Sequence, residues 1–84
     1  LRNHGLLTVG RSLGEAFVFM YVFETVCNIQ VRALAGGRPL SRIDPSLVAT
    51  AREQVKTATQ GQGAAMAWPG LLRRLARTMP GFNT

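Results

Sequence analysis

Between Ser12 and Gly37 the sequence specifies one long helix that has no polar side for much of its length. Ser12 suits an N-cap, Glu15 stands three positions later to close a capping box, and Gly36-Gly37 with Pro39 stops the helix after Ala35. At ~1.5 Å per residue, Leu13 to Ala35 makes a rod of roughly 35 Å. The stretch Ala16-Phe17-Val18-Phe19-Met20-Tyr21-Val22-Phe23 is apolar on every face, and a helix of that kind is expected to be surrounded. Beyond Phe23 a polar stripe opens at Glu24, Asn28 and Arg32, spaced four apart, so the rod emerges towards solvent. The aromatic cluster reads as buried core or oligomer contact rather than as a ligand pocket.

The rest of the chain, much of it basic or glycine, offers little apolar surface to wrap this helix. A sheet on one side and another helix or subunit on the other are therefore implied. Eighty-four residues suffice for one small domain or part of a larger one, and 46% hydrophobic content is ordinary for globular material. Cys27, the single cysteine, makes no internal disulfide and points to a reducing compartment, with the cytoplasm as default. Ten Lys and Arg against four Asp and Glu give a net charge of +6. Such an excess attracts polyanions, but it is spread over loops and helices, and the one cluster, Arg73, Arg74 and Arg77, lacks the interleaved aromatics of a stacking platform. No nucleic-acid partner is expected. The longest uninterrupted apolar run is eight residues, far short of the ~20 that span a bilayer, so no membrane segment is expected. Nor has the start the charged region, apolar core and cleavage site of a signal peptide. A chain opening on Leu rather than Met reads as a piece of a longer one.

Ahead of the long helix, Leu1 to Val9 reads as one strand bent at Gly5 or as two short strands, closed by a turn at Gly10-Arg11. An isolated pair of strands is marginal in water, so this segment is expected to join a sheet completed from elsewhere. The chain's only histidine, His4, sits between Asn3 and Gly5. Gly5 gives the backbone freedom for a sharp bend, which can aim the imidazole into a cleft. On its own the residue reads first as a hydrogen-bonded core or surface histidine and only second as a metal ligand.

After the long helix, Gly36 to Ile43 is a basic loop whose Arg38 and Arg42 read as solvated charge. Asp44 caps a second helix with Pro45 in its first turn, Leu47, Val48, Ala51, Val55 and Ala58 form its apolar stripe, and Gln60-Gly61-Gln62-Gly63 ends it. Ala67-Trp68-Pro69 is expected to open a third helix, Pro69 at its first position, with Leu71, Leu72, Leu75 and Met79 buried and Pro80-Gly81 as stop. Trp68 reads as the anchor of that helix. No repeat, phosphate loop, paired carboxylates or Ser/His/Asp arrangement is visible.

The run Leu1-Arg2-Asn3-His4-Gly5-Leu6-Leu7-Thr8-Val9-Gly10, followed by Gly14-Glu15-Ala16-Phe17, Met20-Tyr21 and Glu24, resembles the class II aldolase/adducin family, and the match covers most of the chain. The run Trp68 to Leu75 is similar to the tail of bacterial adducin-type members. The resemblance implies that residues 1–84 are the C-terminal segment of one α/β domain, a three-layer α/β/α fold with short strands followed by three helices, usually a homotetramer. It matches His4 to the third imidazole on a catalytic zinc. The other two, spaced His-x-His, and an acidic proton-transfer residue are expected upstream, so catalytic residues are expected outside this sequence and activity only in a longer parent. That activity would be a zinc-dependent lyase of carbohydrate metabolism acting on small sugar phosphates or related hydroxy-carbonyl compounds, with oligomer contacts through Leu13 to Ala35. The adducin branch of the family supplies the alternative, a non-catalytic interaction and oligomerisation module.

Overall fold

The computed structural model describes residues 2–84 and comprises three successive helices, α1 (Leu13–Ala35), α2 (Pro45–Thr59) and α3 (Gly63–Thr78). No strand occurs among the described residues. The expected α/β class, with short strands over Leu1 to Val9, is therefore corrected to all-α; Leu1 itself lies outside the described residues. A strand needs a ladder partner, and the described residues offer none. Residues 2–4 instead form a turn, with Asn3 at φ 60° and Gly5 at φ 135°, backbone angles that no strand adopts. Further along, the Thr8 hydroxyl donates to the Ala16 carbonyl at 2.8 Å, so this arm lies against the first turn of α1.

Helix α1 begins and ends where its punctuation places it. Ser12 is extended, at φ −144° and ψ 163°, and its hydroxyl accepts from the Glu15 amide at 3.1 Å. The Glu15 carboxylate reaches back one residue further than a capping box requires, accepting from the Arg11 amide. At the other end Gly37 takes the left-handed region at φ 66°, and its amide donates to the Leu34 carbonyl at 3.2 Å. Helix α2 is capped by Asp44, whose carboxylate accepts from the Ser46 amide at 2.8 Å and the Ser46 hydroxyl at 2.7 Å. It ends at Gln60 and Gly61, both at positive φ.

Helix α3 starts earlier than expected, at Gly63, with Pro69 inside it. A proline there withholds an amide from the Ala65 carbonyl and costs ~3 kcal/mol. The earlier start is what brings Ala64, Trp68, Leu71 and Leu75 onto one face, and these four, with Gly70, are the half-buried residues of the helix. That face packs on the first half of α1. Trp68 lies in the notch left by Gly14, where an added Cβ would stand 2.8 Å from the indole Cγ, and its ring meets Phe17 at a centroid separation of 5.7 Å and an angle of 56°. Trp68 is the anchor that the sequence suggests.

Elsewhere the molecule is open. Gly14 is the one buried residue among those described, and no hydrophobic side chain is fully enclosed. The radius of gyration is 16.5 Å, against ~12 Å for a compact domain of this length. Thus α1 is not surrounded within this chain as its composition demands: Phe17, Phe19 and Phe23 remain 46%, 48% and 44% exposed. Its 23 residues are also long and apolar enough, by length and composition, to cross a membrane, which a count of uninterrupted apolar residues overlooks. Glu24 stands at the midpoint, where a charge in a bilayer costs ~2.5–3.5 kcal/mol. It accepts from the Asn28 amide group at 3.0 Å, starting the polar stripe that favours a protein surface over lipid.

Two outcomes follow. Gly14→Ala gains ~1 kcal/mol of helix propensity but sets a methyl against Trp68, an overpacking that costs ~1–3 kcal/mol. A lowered melting temperature is expected, and a raised one would show that the indole is not seated there. At α2 the Ser46 hydroxyl and amide hold the Asp44 carboxyl below its ordinary value. A depressed folded-state value means that the stabilisation is complete above the unfolded value of ~3.9 and is lost as pH falls through the lower, folded one. Protection of the Ser46–Val48 amides, measured against their intrinsic exchange rate, should therefore fall on acidification below pH ~4, and Asp44→Asn should remove that pH dependence while keeping a cap.

Candidate metal-ligand arm

His4 sits at the crest of the turn before Gly5, exposed to solvent. Its Nδ1 lies 2.8 Å from the Arg2 carbonyl oxygen. A carbonyl can only accept, so Nδ1 carries a proton, and in the neutral ring the lone pair falls to Nε2. Metal-binding imidazoles are commonly held in this way, one ring nitrogen on a backbone carbonyl and the other on the metal. The residues on either side explain the motif's composition. Asn3 at φ 60° is a residue type that tolerates the left-handed region, and Gly5 at φ 135° occupies one where a side chain would be strained.

The arm is fastened to α1 at three points. Thr8 is tied to Ala16 as described above. Gly10 passes so close to the helix that a Cβ there would stand 2.6 Å from the Ala16 amide nitrogen. Arg11 closes on Glu15, with Nη2 at 2.8 Å from Oε1 and Nε at 3.2 Å from the same oxygen. The guanidinium and the Arg11 amide together hold the Glu15 carboxyl below its usual range, and Glu15 in turn raises Arg11. Arg11 Nη2 also donates to the Gly61 carbonyl at 3.1 Å, joining the arm to the α2–α3 connector. The i,i+4 spacing of Arg11 and Glu15 was open to sequence reasoning, which took Glu15 only as a cap. The reach to Gly61, fifty positions away, had no sequence signal.

His4 stands alone as a donor. Among the described residues no three His, Cys, Asp or Glu side chains come together around a common point. A catalytic zinc takes three protein ligands and an open position, so the described residues do not complete such a site by themselves. Cys27 is a half-buried free thiol. Arg38 and Arg42 are exposed, and the ion pairs among the described residues, Arg11–Glu15 and Lys56–Glu53, include neither them nor Arg73, Arg74 and Arg77. A groove of ≈ 760 Å³ runs beside α1, with Val18, Phe19, Val22 and Phe23 on one wall and Val55 and Thr59 on the other. It is apolar apart from Arg11, Glu15, Lys56 and Thr59.

Residues 1–31 match the family model described as the class II aldolase and adducin N-terminal domain. A putative aldolase class 2 protein of Pseudomonas aeruginosa is 40% identical over 86 residues, covering 99% of this chain and 33% of the relative. One from Caulobacter vibrioides is 40% identical over 85 residues, covering 98% and 32%. Alpha-adducin of Rattus norvegicus is 42% identical over 72 residues, covering 81% and 10%. No solved structure matches. The chain spans about a third of the length of its bacterial relatives. With the Asn-His-Gly turn inside the matched region and the bacterial similarity running from end to end, the chain belongs to the class II aldolase/adducin family.

Proposed function

We infer that this segment contributes a metal ligand, His4, to a zinc-dependent class II aldolase-type lyase acting on small sugar phosphates or related hydroxy-carbonyl compounds. The observation that carries the reading is the exposed His4 ring, its Nδ1 at hydrogen-bond distance from the Arg2 carbonyl so that Nε2 is left for a metal, on a turn that Asn3 and Gly5 make possible. Two further histidines and the proton-transfer acid come from outside this chain. Zinc, when bound, would act as a Lewis acid towards the substrate's carbonyl and hydroxyl oxygens. The segment's own residues do the positioning: Arg2 fixes the tautomer, and Thr8, Gly10 and Arg11 fix the arm. The reading places the protein in the cytoplasm as a homotetramer.

A second reading, the non-catalytic interaction and oligomerisation module, draws on a different observation. The exposed Phe19, Tyr21, Val22 and Phe23 of α1 call for a covering surface, and this chain is similar to adducins as well as to aldolase-named proteins. The two readings separate on metal. Elemental analysis of the dialysed full-length protein should find near-stoichiometric zinc that is lost in His4→Ala. A metal-free wild type, or zinc indifferent to that substitution, would leave the interaction module.

A further inference from the structure

The arm that carries His4 is tied to a part of the chain with no evident reason to touch it. We propose that Arg11, Glu15 and the Gly61 carbonyl form a latch that positions His4, so that Arg11 and Glu15 act on the metal site without contacting it. The proposal rests on the zinc reading for one of its two readouts.

Three features single the latch out. First, the Arg11–Gly61 hydrogen bond is the one side-chain hydrogen bond among the described residues that bridges more than eight positions, so it alone links the arm to the α2–α3 connector by polar contact. Second, the Glu15 side chain is only 12% exposed although Arg11 is 79% exposed, whereas both partners of the other ion pair, Lys56–Glu53, are open at 65% and 70% and belong to one helix. Burial of one partner shields the latch from the screening that makes exposed pairs weak. Third, Arg11 uses separate donors for its bonds, its amide and Nε on Glu15 and Nη2 on both Glu15 and Gly61. A planar guanidinium suits that geometry and an ammonium does not.

The mechanical consequence can be sized. With Thr8 held on Ala16, the free arm from Thr8 to His4 is four residues and reaches at most ~14 Å. Thr8 is held by a single hydrogen bond, which on this proposal is lost once Arg11 no longer closes the following turn. If both let go, the arm is free back to Ser12, its reach doubles, and the volume open to the imidazole grows about eightfold. The effective concentration of the ligand at its metal falls in proportion. That predicts about a tenfold loss of zinc affinity, at the low end of what disrupted outer-sphere partners produce.

The test uses the full-length protein and four variants: Arg11→Gln, Glu15→Gln, the two combined, and Arg11→Lys. Arg38→Gln, in an exposed loop, is the control. Zinc dissociation constants come from chelator competition, and amide exchange over residues 6–11 is measured without metal. Each single glutamine variant should weaken zinc about tenfold, the double variant no further, and Arg11→Lys should fall between them and wild type. Exchange in the arm should accelerate while exchange in α3 stays put. Unchanged zinc affinity in a protein whose zinc depends on His4 would overturn the latch and leave the metal reading standing. If zinc ignores His4→Ala, the metal reading has failed, and exchange alone decides: faster exchange in the arm upholds the latch, and unchanged exchange overturns it. Acceleration of α3 in parallel also overturns it, because the pair would then serve general stability.

Discussion

One indole in one notch holds this molecule together. Trp68 against Gly14 is where the described chain comes closest to having an interior, and the rest of the α1–α3 seam extends from it through Phe17. A half-buried indole is worth roughly 2–3 kcal/mol at ~25 cal/mol per Å². That is comparable to the ~3 kcal/mol cost of a proline inside a helix, and Pro69 is its direct neighbour. The two residues belong to one trade: α3 tolerates the proline because starting early presents the tryptophan. Gly14 is small because the indole needs the space, and its place in the first turn of α1 puts the seam beside Ser12, Glu15 and the arm.

The elements legible in the sequence are those whose determinants are local. Helix α1 runs from the residue after Ser12 to the residue before Gly36, and α2 from Pro45, because caps and stops are written within four residues of the ends they control. What the sequence obscured depends on distant partners. Leu1 to Val9 reads as strand, yet pairing needs a neighbour that the described residues do not provide. Pro69 marks a helix start when nothing else competes, but here the gain from Trp68 lies on α1. At the candidate site, His4 and its flanking residues were legible as a motif. The orientation of its ring was not, because a side chain's bond to the backbone two residues earlier has no pattern of its own. Nor was the Arg11–Gly61 contact, which depends on where α2 ends.

The openness of the structure bears on both functional readings. A helix with aromatic residues on two opposite sides, with no enclosed apolar side chain among the described residues, is a component awaiting its surroundings. The bacterial relatives are about three times as long. Whether the covering surface comes from the same polypeptide or from another subunit, α1 would be central to it, and the arm bearing His4 would lie at the edge of that assembly, where α1 begins.

The Arg11 bridge has an evolutionary consequence. Its partner on the connector is a main-chain carbonyl, which every amino acid possesses. Residue identity at position 61 is therefore constrained only by the left-handed backbone, which glycine or asparagine satisfies. Insertions and deletions between α2 and α3 are another matter, since adding or removing a residue rotates the carbonyl away. Across homologues, such a contact would leave no trace as correlated substitution and would be visible only as a connector of constant length.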